Sequence, residues 1–107
     1  MNNTNKRTVY VVGNGKRFLK EKLHLGPFKQ AILYNNEYGA EKALNKLINQ
    51  YADTKQRIAT SLKRGWVYEY TPVNSEWGQR HLANMRKYIR NSNPKDVKVM
   101  KVTVTLG

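Results

Sequence analysis

The chain has no cysteine, and only seven aspartate and glutamate residues stand against twenty lysine and arginine. Without thiols there can be neither disulfides nor thiolate metal sites, so the core must hold by packing alone, and a reducing cytosol suits such a chain. Nowhere do about 18 apolar residues occur together, which excludes a spanning helix. The start, Met1-Asn2-Asn3-Thr4-Asn5-Lys6-Arg7, lacks the apolar run of a signal peptide, so a cytoplasmic location is expected.

The acids, Glu21, Glu37, Glu41, Asp53, Glu69, Glu76 and Asp96, are scattered, without a D-x-D or E-x-K pattern to hold a metal for nuclease chemistry. Two histidines are present, His24 and His81, and His81 falls on the apolar side of its helix, where a satisfied core histidine is the default. Gly13-Asn14-Gly15-Lys16 lacks the spacing of a phosphate loop and the helix that should follow one. The expectation is a protein without catalytic residues, metal or cofactor.

What is abundant is positive charge. The formal net charge is +13 over 107 residues. Self-repulsion at that charge opposes compaction, and a polyanionic partner relieves it. A hydrophobic content of 39% is nonetheless that of a folded protein. The length fits one domain, expected over residues 7–107 behind a disordered polar tail at 1–6.

Thr8-Val9-Tyr10-Val11-Val12 predicts a strand, Gly13-Asn14-Gly15 a turn, and Lys16–Lys20 the returning arm of a hairpin. Leu25-Gly26-Pro27 reads as a break, and Gln30–Tyr34 as a third strand. Asn35-Asn36-Glu37 opens a helix whose apolar stripe is Ala40, Ala43, Leu44, Leu47, Ile48 and Tyr51. A capping box at Asp53-Thr54-Lys55-Gln56 predicts a break and restart there, and Gly65 is the stop. Trp66–Thr71 predicts a strand, Asn74 or Ser75 to Arg90 a helix, and Val97–Leu106 a last strand with Met100, Val102, Val104 and Leu106 on one face. These elements give an α+β fold: one small, mainly antiparallel sheet with two amphipathic helices packed on one face.

Four features are candidates for function. In the last helix, Trp77, His81, Leu82, Met85, Tyr88 and Ile89 share one side of a helical wheel, and Arg80, Arg86, Lys87 and Arg90 share the other. That cationic stripe spans roughly 15 Å, long enough to follow a phosphate backbone or enter a groove. Its bland alternative is a solvated face, although ordinary faces mix both signs. A second cluster is Lys16, Arg17, Lys20 and Lys22 with Lys29 beyond, which either grips anions or keeps an edge strand from pairing. Lys63 and Arg64 form a third, better read as compensating a helix dipole. Trp66, Tyr68 and Tyr70 either stack unpaired bases or form core, and a small domain needs such side chains inside.

Val9-Tyr10-Val11-Val12-Gly13-Asn14-Gly15-Lys16-Arg17-Phe18-Leu19, with Ala31-Ile32-Leu33-Tyr34 and Ala40-Glu41-Lys42-Ala43, resembles small orphan proteins of phages and mobile elements of Gram-positive bacteria. The resemblance covers roughly the first half and implies a non-enzymatic modulator of host machinery, of which anti-CRISPR inhibitors are one kind. Two functions are therefore expected to compete. One is direct nucleic-acid binding through the cationic helix. The other is inhibition by docking on an acidic protein or nucleoprotein surface around an exposed Trp77 or Trp66.

Overall fold

Val9, Tyr10, Val11 and Val12 run without polar interruption, and they sit at the centre of the longest ladder of the protein. A computed structural model describes residues 5–68 and 70–106, with backbone only for Asn5, Tyr68 and Leu106. Strand β1, Asn5–Gly13, pairs antiparallel with β6, Lys98–Leu106, in register from Asn5↔Leu106 to Gly13↔Lys98. Asn5 and Lys6, assigned above to a tail, are strand residues because β6 offers them partners; residues 1–4 lie outside the described residues. Val9 and Val11 on one face of β1, and Val12 on the other, are all fully buried. Along β6, Met100, Val102 and Val104 are half-buried while Lys101, Thr103 and Thr105 are exposed, as the alternation predicts.

The turn after β1 is closed by Asn14, whose side-chain oxygen accepts from the backbone N–H of Lys16 (2.9 Å) and Arg17 (2.8 Å). The returning strand β2, Phe18–Lys20, pairs with β3, His24–Gly26, so the four-stranded sheet runs β3-β2-β1-β6. Here the sequence expectation needs correction. Leu25 and Gly26 are strand, because buried Leu19 pairs with buried Leu25 across a tight turn in which Lys22 and Leu23 both take φ 59°. Pro27 ends that strand, and Phe28–Gln30 forms a turn of 3-10 helix that takes in Gln30, the expected start of the third strand. Of the predicted third strand only Tyr34 bridges, exchanging hydrogen bonds of 2.8 Å with Tyr10.

Helix α1, Glu37–Arg64, starts where the Asn36 side chain accepts from the Gly39 N–H at 2.7 Å. The break predicted at Asp53 does not occur. No glycine or proline interrupts residues 40–64, and Asp53 pairs with Arg57 one turn on (3.2 Å) instead of capping a new helix. Gly65, at φ 87°, supplies the left-handed residue that ends α1, its N–H donating to the Ser61 carbonyl at 2.8 Å.

Contacts divide the chain into two compact units, residues 5–47 with 95–106, and Ile48–Pro94. In the first, Ala40, Ala43 and Leu47 of α1 pack on Val12, Leu19 and Leu25 of the sheet, with Tyr10, Tyr34, Leu44 and Val99 around them. Each large side chain buried there contributes roughly 1.5–3 kcal/mol.

In the second unit, β4 (Trp66–Tyr68) and β5 (Thr71–Pro72) form a two-stranded hairpin, against which α2, Glu76–Asn91, packs. Ser75 caps α2 by accepting from the Gly78 N–H at 3.0 Å, and Gly78, Leu82 and Tyr88 are its buried residues. Two helices, a four-stranded antiparallel sheet and a hairpin make an α+β fold. Among the described residues no helix is long and apolar enough to cross a membrane.

Gly78 allows the closest approach in this unit, since a Cβ there would overlap the Pro72 carbonyl. Helix propensity alone favours Gly78→Ala by about 1 kcal/mol. The overlap outweighs it, so the substitution is expected to lower stability by about 1–3 kcal/mol in urea unfolding followed by circular dichroism. A gain in stability would show that helix and hairpin do not meet this closely.

Candidate nucleic-acid interface

Burying Gly78, Leu82 and Tyr88 turns the opposite side of α2 to solvent, and Arg80, Arg86, Lys87 and Arg90 are all exposed there. The four are not equivalent. Arg80 donates to the Glu76 carboxylate at 3.2 Å and lies over the Trp77 ring, 5.1 Å from its centroid. Arg86, Lys87 and Arg90 have no ion pair among the described residues. An exposed pair such as Glu76–Arg80 is worth little in energy, yet it reduces the net charge at the start of the stripe.

Trp77, placed above on the packed side of the helix, is 71% exposed. It lies at the margin of the apolar arc, and the contact with the hairpin is made by the backbone at Gly78 beside it. His81 is half-buried and lines a small cavity with Arg57, Val67 and Met85. Tyr88 is held by a side-chain hydrogen bond with Gln50, and burial outweighs that bond to push its phenol above the usual value.

The hairpin cluster splits. Arg17 donates from Nη2 to the Leu25 carbonyl at 2.6 Å and so ties β3 to the turn before β2. Lys16 stands exposed on the turn, and Lys29 is exposed beyond β3. Lys20 and Lys22 are brought together with His24, Glu21 and Gln30 around an open cleft of about 560 Å³, and the Lys20 Nζ donates to Gln30 at 3.1 Å. Burial, then the charges of Lys20 and Lys22, hold the His24 imidazole below its ordinary 6.5.

The end of α1 carries an arrangement that sequence reasoning did not assemble. Lys63 is exposed at the helix end, in keeping with a dipole role. Arg64 instead lines a groove of about 540 Å³ with Gln56, Arg57, Thr60 and Trp66. Trp66 is 48% exposed and Tyr70 83%, their rings edge-to-face with centroids 6.1 Å apart.

The core reading of this aromatic stripe is therefore overturned for both residues; the Tyr68 side chain lies outside the described residues. The alternation fails because Trp66–Tyr70 is not one strand. The register shifts between Trp66 and Tyr68, and Tyr70 sits in the following turn at φ 64°. A sequence signal for the groove did exist: residues 57, 60 and 64 fall on one helical face beside Trp66.

No family model matches the chain, and neither does any curated protein or solved structure. Among the described residues no three His, Asp or Glu side chains cluster to hold a metal ion.

The cleft at β3 makes a titration test possible. His24 is expected to titrate with a midpoint below 6.5 in proton–carbon NMR spectra. The midpoint should rise in Lys20→Gln/Lys22→Gln yet stay below 6.5, since burial remains the larger cause. A depressed folded value means stability is present above pH 6.5 and is lost as pH falls through the folded midpoint. An unchanged midpoint in the double variant would show that the lysine charges do not reach the ring.

Proposed function

We propose that the protein is a non-enzymatic binding protein that engages nucleic acid, free or within a nucleoprotein, through the exposed cationic face of α2. The observation that carries this reading is the run of Arg86, Lys87 and Arg90, exposed, of one sign, and without an ion pair among the described residues. Charges displayed in this way cost conformational stability unless a polyanion neutralises them, and the net charge of +13 makes that cost general. A phosphate backbone meets the requirement directly, since each neutralised phosphate releases a counterion. Lys16, Lys20 and Lys22 add to the field that attracts such a partner, while Arg17 serves the hairpin. The place of action in this reading is the cytosol.

A second reading is favoured by one observation, the 71% exposed Trp77 with Arg80 over its ring. Tryptophan and arginine are the residues that most often anchor protein interfaces. A phage-encoded inhibitor of a host defence system, of the anti-CRISPR type, would seat this pair on an acidic protein or ribonucleoprotein surface with the same cations around it.

Fluorescence anisotropy with labelled single-stranded DNA, duplex DNA and RNA, at about 50 and 200 mM salt, separates the two readings. Direct binding through six to ten phosphates should weaken by about 10³–10⁵ between those salt concentrations. Alanine at Arg86, Lys87 and Arg90 should flatten the salt slope by about one per residue removed. No binding to any oligonucleotide at the lower salt would sink direct binding of free nucleic acid and leave a protein or nucleoprotein target.

A further inference from the structure

The groove beside β4 combines an indole left half in solvent, two guanidinium groups, and neutral hydrogen-bonding side chains. Arg57 and Arg64 lie seven residues apart on α1, roughly 10 Å along its axis. Gln56 and Thr60 line the space with them, and Trp66 supplies an aromatic surface. At about 540 Å³ the groove falls within the range of small-ligand sites. Tyr70 meets the indole edge-to-face at 73°, and Trp66 remains 48% exposed.

A packed core would hide Trp66, whereas here it stays 48% exposed beside Arg57 and Arg64. Arginine serves phosphate by bidentate geometry and bases by stacking, so both parts of a nucleotide find their partners here.

We propose that this groove is a stacking subsite for an unpaired base of single-stranded nucleic acid, with Trp66 under the base and Arg57 and Arg64 on the flanking phosphates. The proposal rests on the nucleic-acid reading above and adds a preference to it. A duplex keeps its bases paired and cannot present one to an indole, so the subsite selects single strands. Asp53, which holds Arg57 at 3.2 Å with both side chains mostly exposed, is released or shared when a phosphate arrives. A base stacked on an aromatic side chain typically contributes 1–3 kcal/mol, which is about a 5- to 150-fold change in affinity.

The test uses the full chain with oligo-dT, oligo-U and a duplex of equal length, in anisotropy and in fluorine NMR of protein labelled with fluorotryptophan. The Trp66 resonance, assigned with Trp66→Phe, should shift with both single strands and stay in place with the duplex. Trp66→Ala should weaken single-strand binding by about 5- to 150-fold, leave duplex binding unchanged, and be largely rescued by Trp66→Phe. Arg64→Gln should lower the single-strand salt slope by about one. Unequal effects for oligo-dT and oligo-U would identify which strand chemistry fits the groove. Single-strand binding that ignores Trp66→Ala, with a resonance that does not move, would overturn the subsite while leaving the nucleic-acid reading intact. Absence of all oligonucleotide binding would overturn both the subsite and direct binding of free nucleic acid, and variant unfolding curves matching the parent separate lost contact from lost fold.

Discussion

The antiparallel ladder between β1 and β6 is the constraint on which the first unit depends. It joins residues near opposite ends of the sequence, Asn5 to Leu106 and Gly13 to Lys98, so its loop closure is about as long-range as the chain allows. What repays that closure is the apolar content of β1. Val9, Val11 and Val12 are buried on both faces of the strand, and Val12 is the point at which the sheet meets Leu47, Ala43 and Ala40 of α1. β2 and β3 extend this frame through three residue pairs, at whose centre buried Leu19 meets buried Leu25. The cations of the hairpin owe their positions to that pairing: Arg17 is tied to the Leu25 carbonyl, while Lys20 and Lys22 are left around a cleft.

Electrostatics sets the other limit. With seven acids against twenty cations, ion pairing cannot neutralise the surface, and two of the acids pair locally, Asp53 with Arg57 and Glu76 with Arg80. Both pairs are exposed and contribute little to stability. Their effect is on geometry: Arg80 is held over Trp77, and Arg57 is held at the edge of the Trp66 groove. The remaining cations of α2 are left available by the scarcity of partners. A protein arranged in this way gains stability from any anion that binds the folded form preferentially, growing with the logarithm of that anion's concentration over its dissociation constant.

The boundaries of the long elements were legible because their signals are local. Asn36 and Ser75 cap, Gly65 stops, and Glu76 to Arg90 repeats at helical spacing, each decided within a turn of backbone. The misplaced elements are those where a distant partner decides. His24–Gly26 is strand because β2 needs a neighbour, which nothing in its own three residues announces. The Asp53 box failed for the opposite reason: an uninterrupted helix keeps its hydrogen bonds whether or not a cap is available, and the Asp53 carboxylate pairs with Arg57 instead. For the candidate sites, the single-sign face of α2 was visible as a periodicity of charge. The Trp66 groove was legible only in its helical half, residues 57, 60 and 64; alternation along 66–70 assumes a straight strand, and a register shift followed by a left-handed Tyr70 removes it.

By itself, then, the sequence determined the α+β class, the two amphipathic helices with their caps, the absence of thiol chemistry, and a large excess of positive charge. These follow from composition and from periods of two and 3.6 residues, which act over short distances. Tertiary structure alone decided which of those charges are free and which aromatics are exposed. Arg17 and Arg80 became structural, Arg86, Lys87 and Arg90 remained open, and Trp66, Tyr70 and Trp77 came to the surface. The physical reason is that exposure and pairing depend on what packs against a residue from elsewhere in the chain, and no local pattern contains that information.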